Sequence, residues 1–205
     1  AVSPPHDIGR WVGTAAFFGP LLLAGLLLQR TEWTVPQGEA VTVAVVQPNV
    51  PLKEKWYPRY RSGILADFGT RSTALAQDHD LVVWPESALP GYRDRLLGVI
   101  EPVDQRLAQL DSTLITGIPT RDAAGRYNSI TALGTGSGTY HKQKLVPFGE
   151  YVPIERWLRG AIAFFDLPMS QFVAGDTEQR PLFAGNLPVA PFICYEIVYP
   201  DFVQR

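Results

Sequence analysis

Three side chains in this sequence, a carboxylate, an ammonium and a thiol, occur in stretches that could bring them together. Glu86 lies in WPES, Lys142 follows it by 56 residues in YHKQK, and Cys194 follows Lys142 by 52 residues in FICYE. A free thiol has a pKa of about 8.5, so a thiol nucleophile needs a base or a nearby cation. A carboxylate can be that base, and an ammonium can stabilise the oxyanion formed when a thiolate attacks a carbonyl. The three side chains therefore suffice for acyl transfer without a metal or a cofactor.

Cys194 also has a plainer interpretation. It is the one cysteine of the chain, so it can form neither an intramolecular disulfide nor a multi-cysteine metal site. It ends the apolar run VAPFI, and free cysteines are often buried filler in a core. Taken singly, Glu86 could be a surface residue at a strand end, and Lys142 a solvated hairpin lysine. The three residues together, each after a predicted strand, favour the functional interpretation.

The segments around these residues predict a layered α/β domain. Apolar and β-branched runs predict strands, and apolar residues at helical spacing predict the helices between them. The first strand is a continuous apolar run, which is typical of a strand buried on both faces. The predicted strands are 41–46, 81–84, 113–118 and a hairpin of 127–133 with 138–141, and the predicted helices are 60–77 and 103–110. This order implies helices covering a mixed sheet.

An uncharged stretch near the start of the sequence, residues 11–28, is flanked by Arg10 and Arg30. At about 1.5 Å per residue, a helix of this length nearly spans a hydrocarbon core of about 30 Å, so the stretch predicts a transmembrane helix. A signal peptide fits poorly because no small-residue cleavage site follows Leu28. A buried helix of a soluble domain is the other alternative. An arginine on each side leaves the orientation open under the positive-inside rule.

Four segments are expected along the chain. They are a membrane-loop remnant over 1–9, the transmembrane helix over 10–30, a linker over 31–39 and a catalytic domain over 40–205. The 205 residues are 46% hydrophobic with a net charge of −2, which argues against nucleic acid as the main partner. A polar start and an end soon after Cys194 suggest an internal piece of a larger membrane protein, with a C-terminally incomplete sheet.

Several stretches around these residues resemble one enzyme family. They are VVQPN at 45–49, KW at 55–56, VWPES at 83–87, YHKQKLVPFGEYVP at 140–153, LPMS at 167–170 and ICYE at 193–196. They are similar to the nitrilase, or carbon–nitrogen hydrolase, superfamily, whose members have a Glu-Lys-Cys triad on an α-β-β-α sandwich. Within that superfamily the chain resembles the membrane-bound apolipoprotein N-acyltransferases. The stretch at 140–153 together with the membrane helix is much more specific than the triad.

The resemblance implies a role for each residue of the site. Glu86 is the general base, Lys142 the oxyanion stabiliser and Cys194 the nucleophile. Lys144 competes with Lys142 on spacing alone, and Lys142 is chosen because the family has a lysine eight residues before the glutamate of its Gly-Glu pair, here Glu150. Glu150 is then a second active-site carboxylate that orients Lys142 or balances its charge.

Three further residues have supporting roles by the same resemblance. Tyr195 and Glu196 flank the nucleophile, and Trp56 belongs to an arm beside the lipid entrance. The plainer alternatives are an interfacial Trp56, a core Tyr195 and a buried structural Glu196. The resemblance implies no metal site.

The resemblance implies a membrane acyltransferase that needs no cofactor. Cys194 takes a fatty acyl group from a phospholipid as a thioester, and passes it to the N-terminal amino group of a diacylglyceryl-cysteine on an apolipoprotein. The catalytic domain faces the periplasm from a bacterial inner membrane. The segment 161–169 is apolar, aromatic and proline-broken, which suits a loop that dips into lipid, and a core helix with a loop is the alternative. The alternatives are a nitrilase-type amidase that hydrolyses a small amide, and a membrane-anchored binding domain that is not an enzyme.

Overall fold

The structure is a computed structural model that describes residues 6–36, 38–151 and 171–204. The chain forms two compact units, Ala1–Ala40 and Val41–Arg205. The loop at 161–169, which the sequence predicts to contact lipid, lies outside the described residues.

The first unit contains the long helix α1 (His6–Leu28). Every residue from Trp11 to Leu28 is exposed. Among the described residues, α1 is the one helix that is long and apolar enough to cross a membrane. The predicted helix is therefore confirmed, and an apolar surface on all sides is typical of a helix in contact with lipid. At the helix end, the Leu28 carbonyl oxygen accepts the Thr31 N–H at 3.1 Å and the Trp33 indole N–H at 3.2 Å.

The second unit alternates strands and helices, as predicted. Its described strands are β1 (Val43–Val45), β2 (Leu81–Val83), β3 (Thr113–Gly117), β4 (Thr120–Arg121), β5 (Arg126–Tyr127), β6 (Ser129–Gly134), β7 (Thr139–His141), β8 (Leu182–Ala184) and β9 (Leu187–Val189). Its described helices are α2 (Leu52–Lys55), α3 (Pro58–Leu75), α4 (Leu97–Gln109) and α5 (Pro200–Val203). A 3₁₀ turn at Cys194–Val198, here called the cysteine turn, precedes α5.

Five strands form a mixed sheet in the order β1-β2-β3-β6-β7. β1, β2 and β3 are parallel, and β6 and β7 form the predicted hairpin, antiparallel to each other. Because β2 and β3 are parallel, the loops that follow them leave the sheet at the same edge. Gly117 ends β3, and a Cβ there would lie 2.7 Å from the Cα of Glu86. A glycine at this position therefore lets the loop after β2 pass close to β3.

A hydrophobic core covers one face of the sheet. Phe68 of α3 and Leu107 of α4 are fully buried in a cluster with Val82 and Leu114 of the central strands. Burial of a side chain of this size contributes about 1.5–3 kcal/mol. The rings of Phe68 and Trp84 lie 5.0 Å apart between centroids. This core fixes the carboxyl end of β2, from which the WPES loop departs.

A second cluster contains Ile115, Leu182 of β8, Tyr140 of β7 and Ile193. Ile193 is 2% exposed and precedes the cysteine turn directly. The cysteine turn is therefore anchored by an apolar side chain in the same cluster as the strand that ends next to Lys142.

The first strand differs from the prediction. Ala44 is buried, but Val43 and Val45 are 47% and 78% exposed, so the expectation of burial on both faces is wrong. β1 lies at the end of the strand order with β2 as its partner, and Ala44 points into the helical core while its neighbours point away.

The second predicted helix also differs, because α4 begins at Leu97 and not at Val103. Gly98 and Pro102 lower the helix propensity of this first stretch. Ile100 and Val103 are buried in the helical core, however, so packing outweighs the local preference.

Candidate active site

Glu86 is positioned by the loop that leaves β2. The N–H of Ala88 donates to the Gly117 carbonyl oxygen at 2.8 Å, which ties the loop to β3. Ser87 is buried with a φ of 49°, a left-handed conformation that is unfavourable for a residue with a Cβ. The Glu86 side chain is 39% exposed, and its Oε1 accepts a hydrogen bond from Asn128 Nδ2 at 2.6 Å. Glu86 is thus accessible from solvent and oriented by a neighbouring strand.

Lys142 follows β7 directly. Its backbone N–H donates to the Asn128 carbonyl oxygen at 2.9 Å, and its side chain is 1% exposed. The ammonium Nζ lies 2.8 Å from Glu150 Oε2 and 3.9 Å from Glu86 Oε1. A buried ammonium without carboxylate partners would be strongly destabilising. Lys144, the alternative on spacing, is exposed, and its Nζ lies 5.8 Å from the ring centroid of Tyr199.

Asn128 joins the two carboxylates, and the sequence did not indicate it. Its Nδ2 donates to Glu86 Oε1 at 2.6 Å and to Glu150 Oε1 at 2.8 Å. Asn128 is 1% exposed, and its backbone carbonyl oxygen accepts the backbone N–H of Lys142. A polar residue inside the predicted strand 127–133, opposite the end of the strand that carries Lys142, was the signal that could have identified it.

Glu150 accepts hydrogen bonds through both of its oxygens. Oε1 accepts from Asn128, and Oε2 accepts the Val146 N–H at 2.9 Å in addition to its ion pair with Lys142. The backbone N–H of Glu150 donates to the Val146 carbonyl oxygen at 2.9 Å, so the turn between them is closed at both ends. Glu150 is 8% exposed. Glu150 is thus a nearly buried carboxylate in direct contact with the Lys142 ammonium, and its role in catalysis stays a prediction.

Cys194 begins the cysteine turn and is exposed, so the interpretation of this cysteine as buried filler is wrong. Its φ is 58°, again in the left-handed region. Such a conformation costs about 1–3 kcal/mol and persists only where the surrounding structure enforces it. The preceding Ile193 is buried in the second cluster and provides that anchor. The thiol is therefore held at the surface on a sharp turn.

Glu196 fixes the cysteine turn to the residues around Lys142. It is 0% exposed, and its Oε2 accepts the Ile193 N–H at 2.8 Å. Its Oε1 accepts the Tyr140 hydroxyl at 3.0 Å, the Gln143 N–H at 2.8 Å and the Lys144 N–H at 3.0 Å. Burial, and then the charge of Glu196, raise the pKa of Tyr140, so its hydroxyl keeps the proton that it donates. The alternative of a buried structural acid describes these contacts.

Tyr195 packs next to Lys142. Its hydroxyl donates to the Leu145 carbonyl oxygen at 2.7 Å, and its ring centroid lies 5.4 Å from Lys142 Nζ. Burial raises the pKa of Tyr195 to about 12, so the phenol remains a neutral donor. Tyr195 and Glu196, the two residues that follow Cys194, therefore both contact the segment 143–145 that follows Lys142.

Trp56 ends α2 and is half-buried. The preceding Lys55 donates to the Glu86 carbonyl oxygen at 3.4 Å. Burial lowers the pKa of Lys55, and the charge of Glu86 opposes that effect. The structure thus brings the end of α2 to Glu86.

An open cavity of about 710 Å³ lies beside the residues that follow Lys142 and beside Tyr195, the residue that follows Cys194. Its lining includes Leu145, Pro147, Phe172, Val173 and Tyr195. A cavity lined mainly by apolar and aromatic side chains suits a hydrophobic substrate. Within residues 6–36, 38–151 and 171–204, no cluster of three His, Cys, Asp or Glu side chains could hold a metal ion.

The parallel strands β1 to β3, the β6-β7 hairpin and the helices packed on one face form a mixed α/β domain, with Glu86 and Lys142 close together beyond the ends of β2 and β7. Residues 42–204 match the carbon-nitrogen hydrolase family, and the chain belongs to that family. A CN-hydrolase superfamily protein from Xanthomonas campestris, crystallised with an arsenic adduct in its active site, superposes with a TM-score of 0.51. That structure is 18% identical and covers 79% of this chain and 56% of its own, so it supports the fold alone. The predicted nitrilase-like α/β fold is confirmed.

Curated relatives carry a narrower name. The chain is 46% identical over 185 residues to the apolipoprotein N-acyltransferase of Pseudomonas syringae pv. tomato, with 88% of this chain and 36% of that protein covered. It is 44% identical over 203 residues to the apolipoprotein N-acyltransferase of Pseudomonas aeruginosa PAO1, with 97% and 39% covered. The resemblance that the sequence motifs predicted is confirmed. The chain spans a little over a third of the length of these relatives.

Proposed function

We propose that this chain supplies the catalytic domain of a membrane acyltransferase. The enzyme moves a fatty acyl group from a phospholipid, through a thioester on Cys194, to the N-terminal amino group of a diacylglyceryl-cysteine on an apolipoprotein. The observation that carries the proposal is the buried Lys142 ammonium, 2.8 Å from Glu150, next to the ring of the residue that follows Cys194. The similarity of 44–46% to curated apolipoprotein N-acyltransferases supports the choice of donor and acceptor.

In the first half-reaction, Glu86 takes the proton of the Cys194 thiol, and the thiolate attacks the ester carbonyl of the phospholipid. The oxyanion of the tetrahedral intermediate is stabilised by the Lys142 ammonium and by a backbone N–H beside the nucleophile. When the intermediate collapses, the carbon–oxygen bond to the glycerol breaks and the leaving alkoxide takes the proton from Glu86. The products are an acyl thioester on Cys194 and a lysophospholipid.

In the second half-reaction, the α-amino group of the acceptor attacks the thioester carbonyl and gives its proton to Glu86. Lys142 again stabilises the oxyanion. Collapse expels the Cys194 thiolate, which recovers a proton from Glu86, and leaves an amide on the acceptor. Glu86 is thus the base in each attack and the acid in each collapse, which requires a carboxylate that is not committed to a close ion pair.

The helix α1 supports a membrane location, because its exposed surface from Trp11 to Leu28 is apolar and its length suits a bilayer. Both proposed substrates are held in a membrane by acyl chains. An enzyme anchored in the same membrane meets them without extracting them into water. A bacterial inner membrane with the domain on the periplasmic side follows from the same proposal. The open apolar cavity beside Leu145 and Phe172 is suited to an acyl chain.

A nitrilase-type amidase would use the same three residues with water as the acceptor. The likeness to nitrilase-like structures supports the shared fold and no more. The two functions differ in the acyl donor and in the lifetime of the intermediate. An acyltransferase must retain its thioester until the amine arrives, whereas an amidase hydrolyses it.

The test is the thioester itself. The full-length protein, incubated with phospholipid and no acceptor, should gain the mass of a fatty acyl group on the peptide that contains Cys194. Neutral hydroxylamine should remove the added mass. Cys194→Ala and Glu86→Gln should show no gain, and Cys194→Ser should show little, because a hydroxyl is much harder to deprotonate than a thiol beside the same base. Acyl transfer at a normal rate in Cys194→Ala would exclude the assigned nucleophile.

A further inference from the structure

Within the part of the chain that the structure describes, a side chain and not a further strand pairs with the outer side of β7. β7 lies at the end of the strand order, with β6 on its inner side. The N–H of Lys142 points inward to the Asn128 carbonyl oxygen of the β6 side. Because backbone groups alternate in direction along an antiparallel strand, the N–H and C=O of the preceding His141 point outward. Unpaired backbone groups at a sheet edge need other partners.

Gln179 supplies both partners for His141. Its Oε1 accepts the His141 N–H at 2.8 Å, and its Nε2 donates to the His141 carbonyl oxygen at 2.7 Å. Nε2 also donates to the Asp176 carbonyl oxygen at 2.9 Å, so both amide hydrogens are used. The orientation of the amide is fixed by these partners, since a backbone N–H only donates and a carbonyl only accepts. The Gln179 side chain therefore pairs with β7 as a neighbouring strand would.

Gly175 closes the same edge one residue further along. Its N–H donates to the Lys142 carbonyl oxygen at 2.9 Å. A Cβ at Gly175 would lie 2.5 Å from the His141 carbonyl oxygen and 2.7 Å from Gln179 Nε2. Only a glycine allows the two hydrogen-bonding groups to approach β7 together. Lys142 is consequently fixed through its N–H by Asn128, through its C=O by Gly175, and through the residue before it by Gln179.

We propose that Gln179 is a positioning residue for Lys142. The Lys142 ammonium has to occupy one place between two carboxylates and the reacting carbonyl, so a small shift of its backbone removes oxyanion stabilisation. Gln179 contacts no reacting atom and acts through the backbone of His141. The inference rests on the role proposed for Lys142, and it makes the segment from Gly175 to Gln179 part of the catalytic apparatus.

The first measurement compares Gln179→Ala with the matched control Gln171→Ala in the full-length protein. Gln171 lies eight residues before Gln179, is exposed, and accepts a hydrogen bond from Arg126 at 3.0 Å. Gln179→Ala should slow thioester formation on Cys194 by about tenfold or more while the KM for phospholipid changes by less than about twofold, because orientation and not binding is lost. Gln171→Ala should retain the normal rate. A normal rate in Gln179→Ala would overturn the proposal.

The second measurement uses Gln179→Glu to separate positioning from general stability. An ionised carboxylate can still accept the His141 N–H, but its other oxygen faces two carbonyl oxygens, whereas a protonated carboxyl can donate to one of them. Thioester formation in Gln179→Glu, relative to Gln179→Ala at the same pH, should therefore recover as the pH falls. No recovery relative to Gln179→Ala would contradict the proposal that Gln179 positions Lys142 through its hydrogen bonds to the His141 backbone.

Hydrogen–deuterium exchange of the His141 amide gives a readout that does not depend on activity. The amide should exchange faster in Gln179→Ala than in the unmodified protein and in Gln171→Ala. Unchanged protection would show that Gln179 does not hold this edge. If the unmodified protein forms no thioester with phospholipid, the proposed function fails. The exchange rate of the His141 amide still decides whether Gln179 holds the outer side of β7.

Discussion

Lys142 forms its close ion pair with Glu150 and not with Glu86. The ammonium lies 2.8 Å from Glu150 Oε2, against 3.9 Å from Glu86 Oε1. Glu150 is almost as buried as Lys142, whereas the Glu86 side chain is 39% exposed. The charge of the ammonium is thus balanced by one carboxylate, which leaves the other available to exchange protons. In the proposed mechanism, two glutamates of the same chemistry have separate tasks because their surroundings differ.

Glu150→Gln tests this division of tasks. The substitution removes the close partner of a buried ammonium and brings an amide toward the donor of Asn128, so we expect the free energy of unfolding to fall by about 3 kcal/mol or more. Urea denaturation followed by tryptophan fluorescence measures the change. Glu178→Gln, at an exposed position, is the matched control and should change stability by less than about 0.5 kcal/mol. Equal stability of the two variants would contradict the importance of the pair.

Lys142→Arg should abolish acyl transfer although it keeps the positive charge. A guanidinium is a planar fork and is larger than an ammonium. Because the Lys142 side chain is 1% exposed, the larger group cannot occupy the same place without displacing its neighbours. Lys144→Arg changes an exposed side chain two residues away and should retain activity. The measurement is the rate of thioester formation in the two variants. Loss in Lys144→Arg with normal turnover in Lys142→Arg would show that the wrong lysine was chosen.

Asn128→Asp should be more harmful than its small change in volume suggests. The substitution replaces the amide that donates to Glu86 and Glu150 by a third carboxylate, and the like charges repel. We expect at least about a hundredfold loss in the rate of thioester formation, because removal of a donor from a preorganised site costs this much. Partial recovery at lower pH, where one carboxyl is protonated, should accompany the loss. A normal rate at neutral pH would exclude a role for the amide.

We expect His141 to make the free energy of unfolding depend on pH. Its Nδ1 lies 2.8 Å from the Ser129 hydroxyl, and its ring stacks on Tyr127 at 4.4 Å. Burial lowers the pKa of His141, and the charges of Asp122 and Asp176 oppose that effect. The unfolded chain therefore binds this proton more readily than the folded one, and the stabilisation is present above about pH 6.5 and is lost as the pH falls below it.

The stability of the unmodified protein relative to His141→Gln should accordingly decrease between about pH 7 and pH 5. Urea denaturation at a series of pH values measures it, and subtraction of the variant removes the contribution of the carboxylates. A difference that is constant across this range would mean that the folded protein does not disfavour the protonated imidazole.

The parts of the fold that could be predicted are those that depend on local pattern. The runs at 81–84 and 113–118 and the hairpin around the glycine-rich turn are strands in the structure, and α1 is a helix. The burial of the first strand was mispredicted because a β-branched run does not show whether a second layer covers its other face. Val45 is exposed because it points away from the helical core that contains Ala44, which is a property of the tertiary structure.

The site divides in the same way. Glu86, Lys142, Glu150 and Cys194 lie in stretches that identify them, and their roles stay predictions until they are tested. Asn128 and Gln179 lie in stretches without such a pattern. Asn128 meets Glu86 across 42 residues, and Gln179 meets His141 across 38, so each contact exists only once strand register and loop path are set. The roles proposed for these two amide side chains therefore depend on their positions in the fold.

The contacts of Glu196 determine when the segment around Lys142 can reach its final structure during translation. Residues 140 to 144 are synthesised first, and the Glu196 carboxylate that accepts their hydrogen bonds is synthesised 53 residues after Gln143. Until then the Tyr140 hydroxyl and two backbone N–H groups lack the carboxylate that fixes them. The thiol is made only two residues before that carboxylate. A nascent chain therefore gains its thiol and the carboxylate that anchors the Lys142 segment at nearly the same moment.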